Sequence, residues 1–126
     1  MIKKMSQYDV PATLDRLEHA LKDKGIAIVA RVDHAAAANK VDMELRPTQV
    51  LFFGNPKLGT PLMQSNQAAG LDLPMKVLAW QDEDGKTWLG YHSPQQIATN
   101  LHMTDVTEAV NMLAGAMEKL TEYATA

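Results

Sequence analysis

Apolar and polar residues alternate along the chain in a pattern that predicts five strands and four helices. The helical spacing is clearest near the start, where Val10, Leu14, Leu17 and Leu21 fall on one face. Pro11 suits the first turn of that helix, and Gly25 suits its end. The predicted strands cover residues 2–8, 26–32, 49–53, 75–81 and 86–92, and the predicted helices cover residues 10–24, 61–69, 94–100 and the segment from 105 onward.

The order of these elements indicates an α+β domain. The pair Asp84-Gly85 is typical of a hairpin turn and joins the last two strands. The final helix, with Asp105 and Glu108 as a capping pair, carries one apolar stripe. We therefore expect an antiparallel sheet with helices packed on one face, in the order β-α-β(4)-α with two short extra helices. An uncovered apolar face of such a sheet is a common dimer contact.

Composition narrows the function classes. A chain of 126 residues fits one domain, residues 1–126. The absence of cysteine excludes disulfides and thiol catalysis, and a net charge of −3 argues against a nucleic-acid surface. No apolar run approaches the roughly 20 residues of a membrane span, and no signal-peptide core follows the first lysines. We expect a cytoplasmic protein without a membrane or nucleic-acid partner.

The segment from Gly54 to Thr60 is the most distinctive feature, because glycine and proline surround a lysine between a strand and a helix. Thr60 is predicted to cap the helix, so that Asn55, Lys57 and Gly59 lie beside a helix N-terminus that favours anions. The spacing of a phosphate loop is present, but Thr60 stands where the loop needs lysine. A rigid turn that fixes the helix against the sheet is the simpler interpretation, and an anion or small polar ligand is the functional one.

The histidines offer a second kind of chemistry. His34 follows Asp33 at the end of one strand, and His92 follows Tyr91 at the end of another. Side chains at strand ends often carry function, and these two histidines are expected to converge with Lys57 if their strands share a sheet. None of the four histidines has the close helical spacing of a metal site, so no metal is predicted. The three acids of the 82–84 turn are expected to be solvated.

Three segments together resemble a known family. They are residues 31–36 with 45–48, residues 53–63, and residues 71–78 leading to Tyr91. In order and spacing they resemble the bacterial and archaeal family known as domain of unknown function 302. The resemblance implies a fold like that of the TATA-binding protein and a homodimer. It implies no reaction, cofactor or catalytic residue.

The leading hypothesis from the sequence is a homodimeric domain that binds a small anionic or polar ligand near Gly54–Thr60. The neighbouring candidates for this site are Asp33, His34, Asp72 and Tyr91. Two alternatives remain open. One is an interaction module without a ligand, and the other is an enzyme that uses His34 or His92 as a general base.

Overall fold

The computed structural model describes residues 1–126 as a five-stranded sheet with helices, which confirms the α+β class. The strands are β1 (Ile2–Ser6), β2 (Ala27–Asp33), β3 (Thr48–Gly54), β4 (Met75–Gln81) and β5 (Thr87–Tyr91). The helices are α1 (Val10–Asp23), α2 (His34–Lys40), α3 (Pro56–Ser65), α4 (Pro94–Asn100) and α5 (Thr107–Thr125), with a 3₁₀ turn at Gln67–Leu71.

All neighbouring strands run antiparallel, in the order β1-β5-β4-β3-β2. The register defines two ends of the sheet. At the Gly54 end, Gly54 lies opposite Ala27, and Phe53 lies opposite Met75, the first residue of β4. The Asp33 end holds Asp33 opposite Gln49. Asp33 is six residue steps along β2 from Ala27, so the two ends lie about 20 Å apart.

Helices α1 and α5 pack on each other and on one face of the sheet. The apolar stripe predicted for α1 is confirmed, because all four of its members are at most 1% exposed. Leu51, Val77 and Leu89 meet the helices from three adjacent strands and are fully buried. Because side chains alternate along a strand, the opposite face carries a second set of apolar residues. Its members include Val32, Val50, Leu78, Trp80, Trp88 and Met5.

The hairpin between β4 and β5 forms where the sequence predicted it. Gly85 adopts a positive φ of 81°, which favours glycine. The Asp82 carboxylate accepts hydrogen bonds from the Trp88 indole (2.8 Å) and from the backbone N–H groups of Asp84 and Lys86 (2.9 Å each). These bonds, the indole first, hold the pKa of Asp82 below its ordinary value. Asp82 therefore organises the turn, whereas Glu83 and Asp84 are exposed as expected.

Helix α3 begins five residues earlier than predicted, so the Gly54–Thr60 segment is not a loop. Asn55 is the N-cap, since its Oδ1 accepts from the Lys57 N–H at 3.0 Å, and Pro56 occupies the first turn. An asparagine followed by proline is a start signal that precedes the Thr60-Pro61 signal along the chain. Thr60 is therefore not a cap, and Pro61 lies inside the helix.

Two other boundaries differ from the sequence prediction. Residues 34–40 form a helix where the sequence analysis predicted no element, and the Asp33 carboxylate caps it by accepting from the Ala36 N–H at 2.9 Å. Helix α5 starts at Thr107 without a side-chain cap. Asp105 does not cap it, because its carboxylate accepts a hydrogen bond from Ser65 at 2.5 Å instead.

Candidate functional site

An apolar cavity of about 450 Å³ opens at the Gly54 end of the sheet. One wall is the chain from Gly54 through the first turns of α3, and the facing wall is α5. The end of β3 and the start of β4 form its base, where Phe53 and Met75 are at most 5% exposed. The cavity exists because α3 bridges from the sheet end toward α5 without filling the space between them.

The lining of this cavity is almost entirely apolar. Three methionines contribute to it, Met63, Met75 and Met117. Asn55 and Thr60 are the only lining residues with polar side chains, and no charged residue lines the cavity. The Asn55 carbonyl oxygen is already engaged by the cap of α3. The interior therefore offers dispersion contacts and no counter-charge.

A second, polar cleft of about 460 Å³ lies where β4 begins and β5 runs into α4. Its polar side chains are Asp72, Lys76, His92, Gln96 and Asn100, and Met75 and Ile97 contribute apolar surface. The Lys76 ammonium donates to the Asp72 backbone carbonyl at 3.1 Å. The Gln96 amide donates to Asn100 Oδ1 at 2.8 Å. This cleft combines both signs of charge, unlike the apolar cavity.

Only some of the residues expected at the site come together. Gly54, Asn55, Gly59 and Thr60 line the apolar cavity. Lys57 is exposed and does not line it. The charge that motivated an anion site thus lies on the exposed surface of α3, outside the cavity lining.

The remaining candidates lie elsewhere. Asp33 and His34 are at the opposite end of the sheet, where Asp33 caps α2 and His34 is exposed. Asp72 lines the polar cleft. Tyr91 is 4% exposed within the core. Burial raises the pKa of its phenol, with Glu118 adding to the effect and Thr121 opposing it. Tyr91 is therefore a neutral core residue at physiological pH.

The expected convergence of His34, His92 and Lys57 does not occur. The antiparallel register places His34 at the Asp33 end, whereas His92 follows the last residue of β5 at the Gly54 end. The two histidines therefore do not belong to one site. His92 alone lies in a cleft, beside Asp72 and Lys76.

Several site residues were not predicted from the sequence. The cavity residues Met63, Leu73 and Met117 read only as core positions, since nothing local marks a gap between two helices. Lys76 could have been found from the hairpin. Leu78 pairs with Gly90, and both Lys76 and His92, each two residues beyond this pair toward the Gly54 end, line the polar cleft.

Comparison with known proteins identifies relatives that are longer than this chain. "Fluoride-specific ion channel FluC 1" of Brucella suis biovar 1 (strain 1330) is 42% identical over 93 residues, which cover 74% of this chain and 37% of that protein. "Fluoride-specific ion channel FluC 2" of Brucella melitensis biotype 1 matches at the same identity and covers 34% of its length. The chain thus spans about a third of these relatives. In the chain itself, no helix combines the length and the apolar character needed to cross a membrane.

The fold has a counterpart among crystal structures. An uncharacterized conserved DUF302 protein from Bacillus stearothermophilus superimposes with a TM-score of 0.77 at 20% identity. The match covers 98% of this chain and 94% of the other, so the two share a fold. The model of the family described as "Domain of unknown function DUF302" matches residues 2–120. The family resemblance inferred from the sequence is confirmed, and the chain belongs to the DUF302 family.

Proposed function

We propose that this domain binds a small, predominantly apolar molecule in the cavity at the Gly54 end. The observation that carries the proposal is the cavity itself. Its volume of about 450 Å³ falls within the range of small-molecule sites, and its lining is apolar with a few polar groups, as such sites usually are. The activity in the names of the Brucella proteins is not part of the proposal, because the chain spans about a third of their length.

The lining changes the class of ligand expected from the sequence. A charged group inside the cavity would lose its hydration and meet no counter-charge, which is strongly unfavourable. The apolar part of the ligand therefore occupies the interior. A polar or anionic end is accommodated only at the rim, near Thr60 and Lys57, which are both exposed.

The three methionines suit a site whose occupant is not rigidly specified. Methionine side chains are flexible and polarizable, so they adapt to ligands of different shape. Met75 and Met117 are at most 5% exposed, whereas Met63 is half-buried on α3. We expect the deep wall to be fixed by the core and the α3 wall to adjust.

Binding of N-phenyl-1-naphthylamine and of its anionic sulfonate, 8-anilinonaphthalene-1-sulfonate, tests both the cavity and its charge preference. We expect the neutral probe to bind more tightly, because only the sulfonate brings a charge. Ala116→Phe on α5 adds a ring within the cavity and is expected to weaken the neutral probe about tenfold or more, since the probe's apolar contacts are displaced. Fluorescence titration measures both affinities.

Asn111→Phe is the matched control, since it adds the same ring to an exposed position of the same helix outside the cavity lining. It should leave probe affinity unchanged. Thermal unfolding of both variants verifies that they fold. Equal probe affinity in the Ala116→Phe variant and the wild type would contradict the cavity as the site. Tighter binding of the sulfonate would favour the anionic ligand expected from the sequence.

The second face of the sheet supports a second candidate function, a homodimerisation module. Met5 is 55% exposed and Val32 is 39% exposed on that face, beside the half-buried Trp80 and Trp88. We propose that two copies pack through the apolar residues of this face, which would remove them from water. Lys76 lies on the same face, so a dimer that covered the whole face would also close the polar cleft. Light scattering across a dilution series should show that the wild type is a dimer and that the double variant Met5→Glu/Val32→Glu is a monomer. The control variant Leu71→Glu, at an 87% exposed site outside the sheet, should remain a dimer. A wild-type monomer at micromolar concentration would rule the dimer out.

A further inference from the structure

We propose that the polar cleft beside α4 is a second binding site, which takes small zwitterions that carry a carboxylate and an ammonium group, such as aliphatic α-amino acids. This site adjoins the apolar cavity, and the two share one lining residue, Met75. Met75, Val77 and Ala79 of β4 are buried toward the helices, so Lys76 points to the opposite face of the sheet. His92, directly after the end of β5, lines the same cleft.

The charges of the cleft are present but unpaired. The Asp72 carboxylate and the Lys76 ammonium both line the cleft, yet the four ion pairs of the structure lie elsewhere. Lys76 donates only to the backbone carbonyl of Asp72, which leaves two of its three protons for another acceptor. The Asp72 carboxylate has no hydrogen-bond partner, and both residues are only partly exposed. Two opposite charges held apart in one cleft match a ligand that carries the complementary pair.

The rest of the lining defines the size and shape of the ligand. Lys76 is the partner for a carboxylate, and Asp72 is the partner for an ammonium group. Ile97 and Met75, each 5% exposed, offer apolar surface for a short side chain. The amides of Gln96 and Asn100 bond to each other and add neutral polar groups at the α4 side. A cleft of about 460 Å³ holds a single small molecule of this kind.

Titration with L-leucine, N-acetyl-L-leucine and L-leucinamide, followed by NMR of the protein's amide signals, tests the proposal. The second probe lacks the ammonium group and the third lacks the carboxylate. Each is expected to bind about tenfold more weakly than leucine, because one charge-assisted contact is lost. Signals of residues 72–76 and 92–100 should shift.

The variants separate the two charges. Asp72→Asn should weaken leucine about tenfold and leave N-acetyl-L-leucine unchanged, whereas Lys76→Met should weaken leucine and leave L-leucinamide unchanged. Lys40→Met, at an exposed lysine of α2 outside the cleft, is the control and should bind leucine as the wild type does. Equal affinity for all three probes, no binding of leucine at millimolar concentration, or an unchanged affinity in both cleft variants would overturn the site. Since Ala116→Phe lies in the other cavity, the two proposals succeed or fail independently.

Discussion

Replacing Leu51 by alanine is expected to lower the free energy of unfolding by about 2–5 kcal/mol. Leu51 is fully buried on β3, an interior strand, between its register partners Arg31 and Val77. Truncating its side chain removes apolar contacts and leaves a cavity that the surrounding sheet and helices can only partly close. Urea unfolding monitored by circular dichroism measures the change as a shift of the midpoint at constant slope.

Leu71→Ala is the matched control, because it deletes the same atoms at a position that is 87% exposed. Its expected effect lies within about 0.5 kcal/mol of zero. If Leu51→Ala lowers the free energy of unfolding no more than Leu71→Ala does, the burial of Leu51 between β3 and the helices is contradicted. A large change in the slope for Leu51→Ala would instead mean that the variant no longer unfolds in one step.

The parts of the fold that the sequence predicted are those where local and tertiary preferences agree. In α1, the apolar spacing, the proline in the first turn and the terminal glycine all indicate the same boundaries, and the structure follows them. The β4–β5 hairpin is a second case, since the Asp-Gly turn needs the positive φ that Gly85 adopts. Each of these signals spans only a few neighbouring residues.

The boundaries that were wrong are those where two local signals compete. Both Asn55-Pro56 and Thr60-Pro61 can start a helix, and the first prevails because Asn55 completes a cap on Lys57 N–H. Asp33 is a similar case, since its carboxylate caps α2 in a segment where no helix or strand was predicted. A polar residue after a strand is equally consistent with a cap and with a ligand contact.

The candidate site could be predicted only in part, because its geometry depends on distant pairing. The Gly54 segment was singled out from the sequence, and four of its residues line the cavity, but the position of α5 on the facing wall depends on tertiary packing that no local pattern encodes. Whether His34 and Gly54 belong to one site depends on the register of β2 against β3, which the sequence does not show. That register sets Asp33 opposite Gln49 and Ala27 opposite Gly54, at opposite ends.

The Arg31-Val32-Asp33 motif that helped to identify the family has a structural role at the edge of the sheet. The Arg31 guanidinium donates to Asp15 and Glu18 of α1 at 2.6 Å each and to Gln49 of β3 at 2.9 Å. Burial alone would lower the pKa of Arg31, but the carboxylates of Asp15 and Glu18 raise this pKa above its ordinary value. One side chain thus ties the edge strand to both its neighbouring strand and α1.

Arg31→Met is expected to destabilise the domain by about 1–3 kcal/mol, because hydrogen bonds to charged partners are lost and Glu18 is left without its cation. Both the Arg31 and Glu18 side chains are only 23% exposed, so water compensates the loss incompletely. Adding Glu18→Gln should make the double variant less destabilised than the two single losses combined, since the unpaired carboxylate is gone. Urea unfolding of all four proteins measures this coupling. The control is His19→Gln, which removes a 3.5 Å contact with Asp23 between side chains 68% and 70% exposed and should change stability by no more than about 0.5 kcal/mol. If Arg31→Met costs as little as His19→Gln, the motif does not hold α1 to the sheet, and its place in the family pattern would have to come from a contact outside this chain.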